Sequence, residues 1–205
     1  MHVDPELAHH VAADFLTPSS VASRALVEAA YDDLATQAWQ CFEWITRRWA
    51  RPVRVVFGRC GAPYATAAEL SESVRRHRLL EITTSACERD RRHPLLDVSP
   101  GSVYDRFRAV HDVVSHGLLQ LGFDRDGEYA AWHTEHRLYR GLARWALATE
   151  LHAEHSVRWT TGEVADHRAV LLDRRLLAAS LRAGRDRRPH EHGHPRQDSN
   201  LRPCH

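Results

Sequence analysis

The chain contains no lysine; all 28 of its basic residues are arginine. This tracks codon usage in a GC-rich genome and is not by itself a phosphate-binding signal. Acidic residues number 27, leaving a formal net charge of +1. No large field of one sign exists, so a nucleic-acid or membrane partner gains nothing from overall charge. Cysteine is sparse: Cys41, Cys60, Cys87 and Cys204 are scattered and form no CxxC pair. That pattern gives neither a zinc ribbon nor a disulfide framework, and it fits reduced thiols in a cytoplasmic protein. No apolar run approaches the ~20 residues that cross a bilayer. The opening "MHVDPELAHHVAADFLTPSS" lacks the basic start and apolar stretch of a secretory signal. The expectation is a soluble, cytoplasmic chain with no membrane partner.

Histidine, by contrast, is abundant, with 16 copies in 205 residues. Codon bias accounts for part of this, since histidine codons begin with C. Hydrophobic residues at 43% and charged residues at 27% are ordinary for a globular protein, and the length suffices to bury a core.

Apolar periodicity and punctuation predict the elements. A short helix over 4–15 is followed by the breaker "TPSS". Residues 21–49 form one long amphipathic helix, with Leu26, Ala30, Leu34, Ala38, Cys41 and Ile45 on one side and Pro52 ending it. "VRVVFG" predicts a strand. Thr66 and Glu69 form a capping box for "AAELSESVRRH", and "RLLEITTS" predicts a second strand. A polar loop leads to helices over about 102–120, 127–139, 141–155 and 161–183, the last ended by Gly184. The fold class is α+β, predominantly α-helical: a helical bundle with a small two-stranded β element. Residues 1–184 form a single globular domain.

The tail 185–205 has almost no apolar residue and is expected to be disordered. Its "RQDSNLRP" looks like a peptide produced when a reading frame crosses a tRNA gene, where integrating elements insert. The alternative is a genuine Arg/His-rich tail, whose "HEHGH" would bind metal only weakly.

The stretch "FRAVHDVVSHGLLQLGFDRDGEYAAWHTEH", Phe107 to His136, holds four histidines and five acids. Asp112 and His116 are four apart and share a helix face. His111 and His116 are five apart, about 140° around an ideal helix. They meet at one ion if the helix distorts there, and Gly117 permits it. Glu128, Trp132 and His136 follow an i, i+4, i+8 line, and Glu150 points inward from the next helix. Inward Glu and His on facing helices build metal sites in bundles. Imidazole with carboxylate suits a divalent ion such as Zn, Fe or Mn. The candidate ligands are therefore His111, Asp112, His116, Glu128, His136 and Glu150. By contrast, His133, Glu135, His152, Glu154 and His155 are expected on the solvated surface, and Trp132, Leu138, Leu142 and Trp145 in the core.

From about Tyr64 to Ser156 the chain resembles a bacteriophage and prophage protein family without an assigned activity. The family's "PY.S..E...V...RL.V..T" is met by "PYATAAELSESVRRHRLLEITTS", and its "HPL" by His93, Pro94 and Leu95. Its "FRAVHD..GH...G..F...GE..AW..H..MYSPLA..AL.TE...QNS" is met by "FRAVHDVVSHGLLQLGFDRDGEYAAWHTEHRLYRGLARWALATELHAEHS". The chain departs at Ser115 for Gly, at Arg140 and Gly141 for "SP", and at Glu154 and His155 for "QN". The resemblance implies a viral or mobile-element context, not a mechanism.

Two characterised groups share fragments. His111 and His116 with a later Glu150 are similar to the iron ligands of aromatic amino-acid hydroxylases. The His111–Asp112 pair looks like that of HD phosphohydrolases, which would need His93 upstream and Asp166 or Asp173 downstream. The expected function is a metal-dependent hydrolase or oxygenase. The alternative is a non-enzymatic virion-associated or host-interaction protein in which the same residues are a structural hydrogen-bond network. The partner is accordingly a small-molecule substrate or a phage or host protein. Nucleic acid is disfavoured, because Arg75, Arg76, Arg78 and Arg89–Arg92 alternate with Glu72, Glu81, Glu88 and Asp90.

Overall fold

The computed structural model describes residues 2–18, 22–59, 61–84 and 93–186. Helix α1 spans Pro5–Leu16, started by Asp4, whose carboxylate accepts from the backbone N–H of Glu6 and Leu7. Helix α2 spans Arg24–Glu43, capped by Ser23, and continues as a π-helical turn, Trp44–Arg48. Strand β1, Arg54–Arg59, follows. Helix α3, Ala67–Glu72, leads through a π turn, Ser73–His77, into strand β2, Leu79–Thr83. The expected capping box forms: Thr66 Oγ1 accepts from Glu69 N–H, and the Glu69 carboxylate accepts from Ala65 N–H.

The two strands pair in parallel, Arg54 opposite Leu79 through Arg59 opposite Thr83. They are therefore a β–α–β unit, with α3 as the crossover. Leu80 and Ile82 point inward with Leu70 and Val74 of the crossover, and Ile45, Val110 and Val113 close this small core.

The larger core is helical. Helix α4, Val103–His111, runs on as a π-helical segment, Asp112–Leu118. Helix α5 spans Arg125–Glu135, capped by Asp124. Helix α6, Ala143–Leu147, π segment Ala148–Ala153 and helix α7, Glu154–Thr161, form one unbroken rod. Helix α8 spans Arg174–Asp186. Phe15, Tyr31, Leu34, Trp132, Tyr139, Leu147 and Leu172 meet in its interior. Helix α4 stands between the cores, with Ala109, Val110, Val113 and Val114 toward the strands and Tyr104 and Phe107 toward the helices. The predominantly helical α+β class is as expected.

The last third departs from the sequence expectation. The rod continues to Thr161, where Gly162 at φ 79° stops it. Residues 163–173 are irregular rather than helical, and α8 starts only at Arg174. Asp173 makes that start, its Oδ1 accepting from Arg175 N–H at 2.7 Å. Polar groups inside the bundle hold the irregular segment by its carbonyls: Thr149 Oγ1–H donates to Val170 O and Trp145 Nε1–H to Leu172 O. Gly184 does not end the last helix, which extends to Asp186. The expected disordered tail beyond 186 lies outside the described residues. Among those described, no helix is long and apolar enough to cross a membrane.

Candidate metal centre

The π-helical segment after α4 places His116. Its i→i+5 winding, seen where Leu119 N–H donates to Val114 O at 3.1 Å, stacks residues five apart nearly one above another. The 140° that would part His111 and His116 on an ideal helix is thereby closed. Gly117 does not break the helix. It lets the segment lie against α3, where an added Cβ would stand 2.8 Å from Val74 Cγ1. The neighbouring Ser71 Oγ donates to Gly117 O.

The ring nitrogens then sort themselves. His116 Nδ1 lies 2.8 Å from Leu121 O. A carbonyl only accepts, so Nδ1 carries the proton and Nε2 keeps its lone pair. His111 Nδ1 lies 2.8 Å from Glu135 Oε1, which also accepts from Ser115 Oγ at 2.5 Å. Both Nε2 atoms face each other at 3.0 Å. Glu128, from the first turn of α5, completes the group: Oε2 is 3.3 Å from His111 Nε2 and Oε1 is 3.6 Å from His116 Nε2. His155 Nδ1, from α7, approaches Glu128 Oε2 at 3.6 Å. Both Glu128 Oε2 and His155 Nδ1 are buried without a hydrogen-bond partner.

Electrostatics follow from these contacts. Burial works against a charge on His111, but Glu135 and Glu128 beside it outweigh that and hold it well above its ordinary value. Burial would raise Glu128, yet the His111 and His116 rings hold it well below the usual carboxylate range. His155 is lowered, chiefly by burial. Asp112, on the same wall, is raised by burial.

The site opens on a cavity of about 300 Å³. His111, Asp112, His116 and Glu128 line it together with Glu150, Glu154, His155 and Arg158, and with Arg108, Phe107 and Phe123. The Phe123 ring meets His116 edge-on at 4.7 Å.

The six expected ligands divide. His111, His116 and Glu128 converge, their donor atoms within 4.8 Å of one another. Asp112 borders the cavity without joining that group. Glu150 belongs to a second group, with Glu154 and His167, of which Glu150 and Glu154 line the same cavity. His136 belongs to neither; half-buried after the end of α5, it sets its ring edge-on to Trp132 at 6.1 Å. Glu135 is the inward residue instead. Seven positions after Glu128 return to within about 20° of the same face, whereas eight miss by about 80°. The spacing alone could have found it.

Other expectations are corrected. Glu135 is fully buried, and His133 and His152 are buried rather than solvated; Glu154 and His155 are partly buried on the cavity wall. His93 and His167, which carried no local helical spacing, are both buried. The set required by the phosphohydrolase likeness does not assemble. His93 Nδ1 accepts from Leu95 and Leu96 N–H while Nε2 faces Glu150. Asp166 is exposed, and Asp173 caps α8.

No protein-family model matches the chain, nor does any curated protein or solved structure.

Proposed function

We propose that the protein is a metal-dependent enzyme in which His111, His116 and Glu128 hold one divalent cation. The facing pair of Nε2 atoms carries this reading. Two lone pairs at 3.0 Å repel unless a proton or a cation lies between them. Two imidazole nitrogens on one tetrahedral zinc, each at ~2.0–2.1 Å, stand roughly 3.3 Å apart, so the donors fit. Glu135 and Leu121 O hold the far side of each ring, which is how ligating histidines are oriented. Two histidines and one carboxylate beside open space suit zinc or iron.

Bound there, the cation would supply Lewis acidity toward a substrate oxygen or toward water. The chain's own residues supply the rest. Arg108 and Arg158 draw an anionic small molecule into the cavity. Asp112, raised by burial, stands at the wall where it would exchange a proton with substrate or water. Phe107 and Phe123 exclude water from the ligands' apolar side. Hydrolysis is the reading we favour over oxygenation, because the wall offers a proton carrier.

A second reading has its own support. A protonated His111 donating from both nitrogens, to Glu135 and toward Glu128, would make the group a charged strut between α4 and α5, with no catalysis. Metal analysis of the untagged full chain separates the two. Near-stoichiometric metal, lost in His116→Ala, is expected. Trace metal, with thermal stability indifferent to chelator, would overturn the enzyme reading. A bacteriophage or prophage origin and a cytoplasmic location are also our reading; they rest on motif resemblance and thiol pattern.

A further inference from the structure

We infer that the same cavity holds a second divalent cation, bound by Glu150, Glu154 and His167. The reading concerns different ligands from the first site and stands or falls separately.

Three parts of the chain bring the ligands together. Glu150 lies in the π-helical segment Ala148–Ala153, and Glu154 opens α7 one turn later. His167 comes from the irregular segment that replaces the expected helix. One donor atom from each lies within 4.8 Å of the others.

Glu150 is the observation that points to a ligand. Its side chain is 1% exposed. Oε1 accepts from Tyr31 Oη–H at 2.6 Å and from His93 Nε2–H at 3.1 Å. Those two donors fix the carboxylate's rotation. Oε2 is left buried with no hydrogen-bond partner, on the cavity wall. An ionised oxygen in that state is costly unless a cation meets it.

Neither fixing group supplies the charge. His93 Nδ1 accepts two backbone N–H groups, so it carries no proton and the ring is neutral. Tyr31 meets Glu150 through its phenolic O–H and so brings no cationic group. Glu154 adds a second carboxylate, 2.8 Å from His167 Nδ1. Around the whole cavity, four carboxyl groups, of Asp112, Glu128, Glu150 and Glu154, meet two guanidiniums, of Arg108 and Arg158, and the His111 ring, which lies at the first site.

The donor sets also differ in kind. Two imidazoles and one carboxylate at the first site suit zinc or iron. Two carboxylates and one imidazole at the second are harder ligands and suit manganese or magnesium.

The test uses the full chain, stripped with chelator and reloaded with Mn²⁺, with bound metal counted after dialysis and by electron paramagnetic resonance. Glu150→Gln/His167→Asn is expected to lose one equivalent relative to wild type while His116→Ala loses the other. The His-rich tail is common to all variants and cancels. If circular dichroism shows the double variant unfolded, Glu154→Gln, at a partly exposed position, takes its place with the same expected loss. Folded variants that bind as much Mn²⁺ as wild type would overturn the second site. If His116→Ala alone lowers the count, the first site stands and the second fails. If only the Glu150 and His167 variant lowers it, the second stands and the first fails.

Discussion

Two buried histidine clusters in one helical core behave oppositely. At the cavity, His111 and His116 turn their Nε2 atoms toward each other and toward Glu128. Against α8, His133 and His152 turn theirs to Ser180: Nε2–H of His133 meets the carbonyl at 3.1 Å, and Nε2 of His152 meets the hydroxyl at 2.9 Å. Tyr129 Oη–H donates to the same carbonyl, and Trp132 stacks on His152 at 4.3 Å. Among the described residues, neither His133 nor His152 joins a group able to hold an ion. The carboxylates make the difference. His111 is raised by Glu135 and Glu128, whereas burial, with His133 and His155 nearby, pushes His152 down to about 3. Burying a histidine says little about its role; the partner at each nitrogen decides it.

Four substitutions or conditions test that contrast. The largest effect is expected for His116→Ala, which should weaken metal binding by at least about 100-fold. His152→Ala should leave metal content unchanged. Competition with a chromophoric chelator measures both, and equal losses would erase the distinction. Next comes Gly184→Ala in the second cluster. An added Cβ would lie 2.1 Å from His133 Nε2, and the ring cannot retreat because Tyr129 and Trp132 hold it edge-on. The clash should cost about 1–3 kcal/mol, more than the ~1 kcal/mol that alanine gains over glycine in a helix. Urea unfolding should show it, with metal content intact.

Glu135→Gln should weaken metal binding by about 10–100-fold, or ~1.4–2.7 kcal/mol, although Glu135 touches no ion. A titration indistinguishable from wild type would mean that the carboxylate does not orient His111. The smallest effect, per step, is on pH dependence in the metal-free protein, and its sign differs between the clusters. His152 is depressed, so its contribution is complete above ~6.5 and is lost as pH falls toward 3, at about 1.4 kcal/mol per pH unit. His111 is raised, so its contribution is complete below ~6.5 and is lost as pH climbs through its folded value. His152→Gln should flatten the acid limb and His111→Gln the alkaline limb. Stability curves with the same limb changed in both variants would contradict the assignment.

Much of the fold was legible. The Thr66–Glu69 capping box and helical spacing located most helices. A β-branched run bounded by Pro and Gly located the first strand, and "RLLEITTS" the second. The irregular segment 163–173 was not legible, because its backbone is held by side chains of distant helices, which no local pattern records. Of the site, His111, His116 and Glu128 could be picked from successive helices. Glu135 was missed in favour of His136 by one residue. His167 was missed because the helix expected over 161–183 does not form around it, and Glu154 and His155 were expected on the solvated surface.

By itself, the sequence determined where most helices and both strands lie, that the fold would be mostly helical, and which stretches carry imidazole and carboxylate. These follow from backbone preferences and apolar periodicity, which act within a few residues. Only the tertiary structure decided which nitrogen of each histidine is spent and which is offered. A lone pair's direction depends on π-helical winding and on the acceptor that a distant segment sets behind the ring. Leu121 O, Glu135 and Ser180 are those acceptors, and packing alone brings them there.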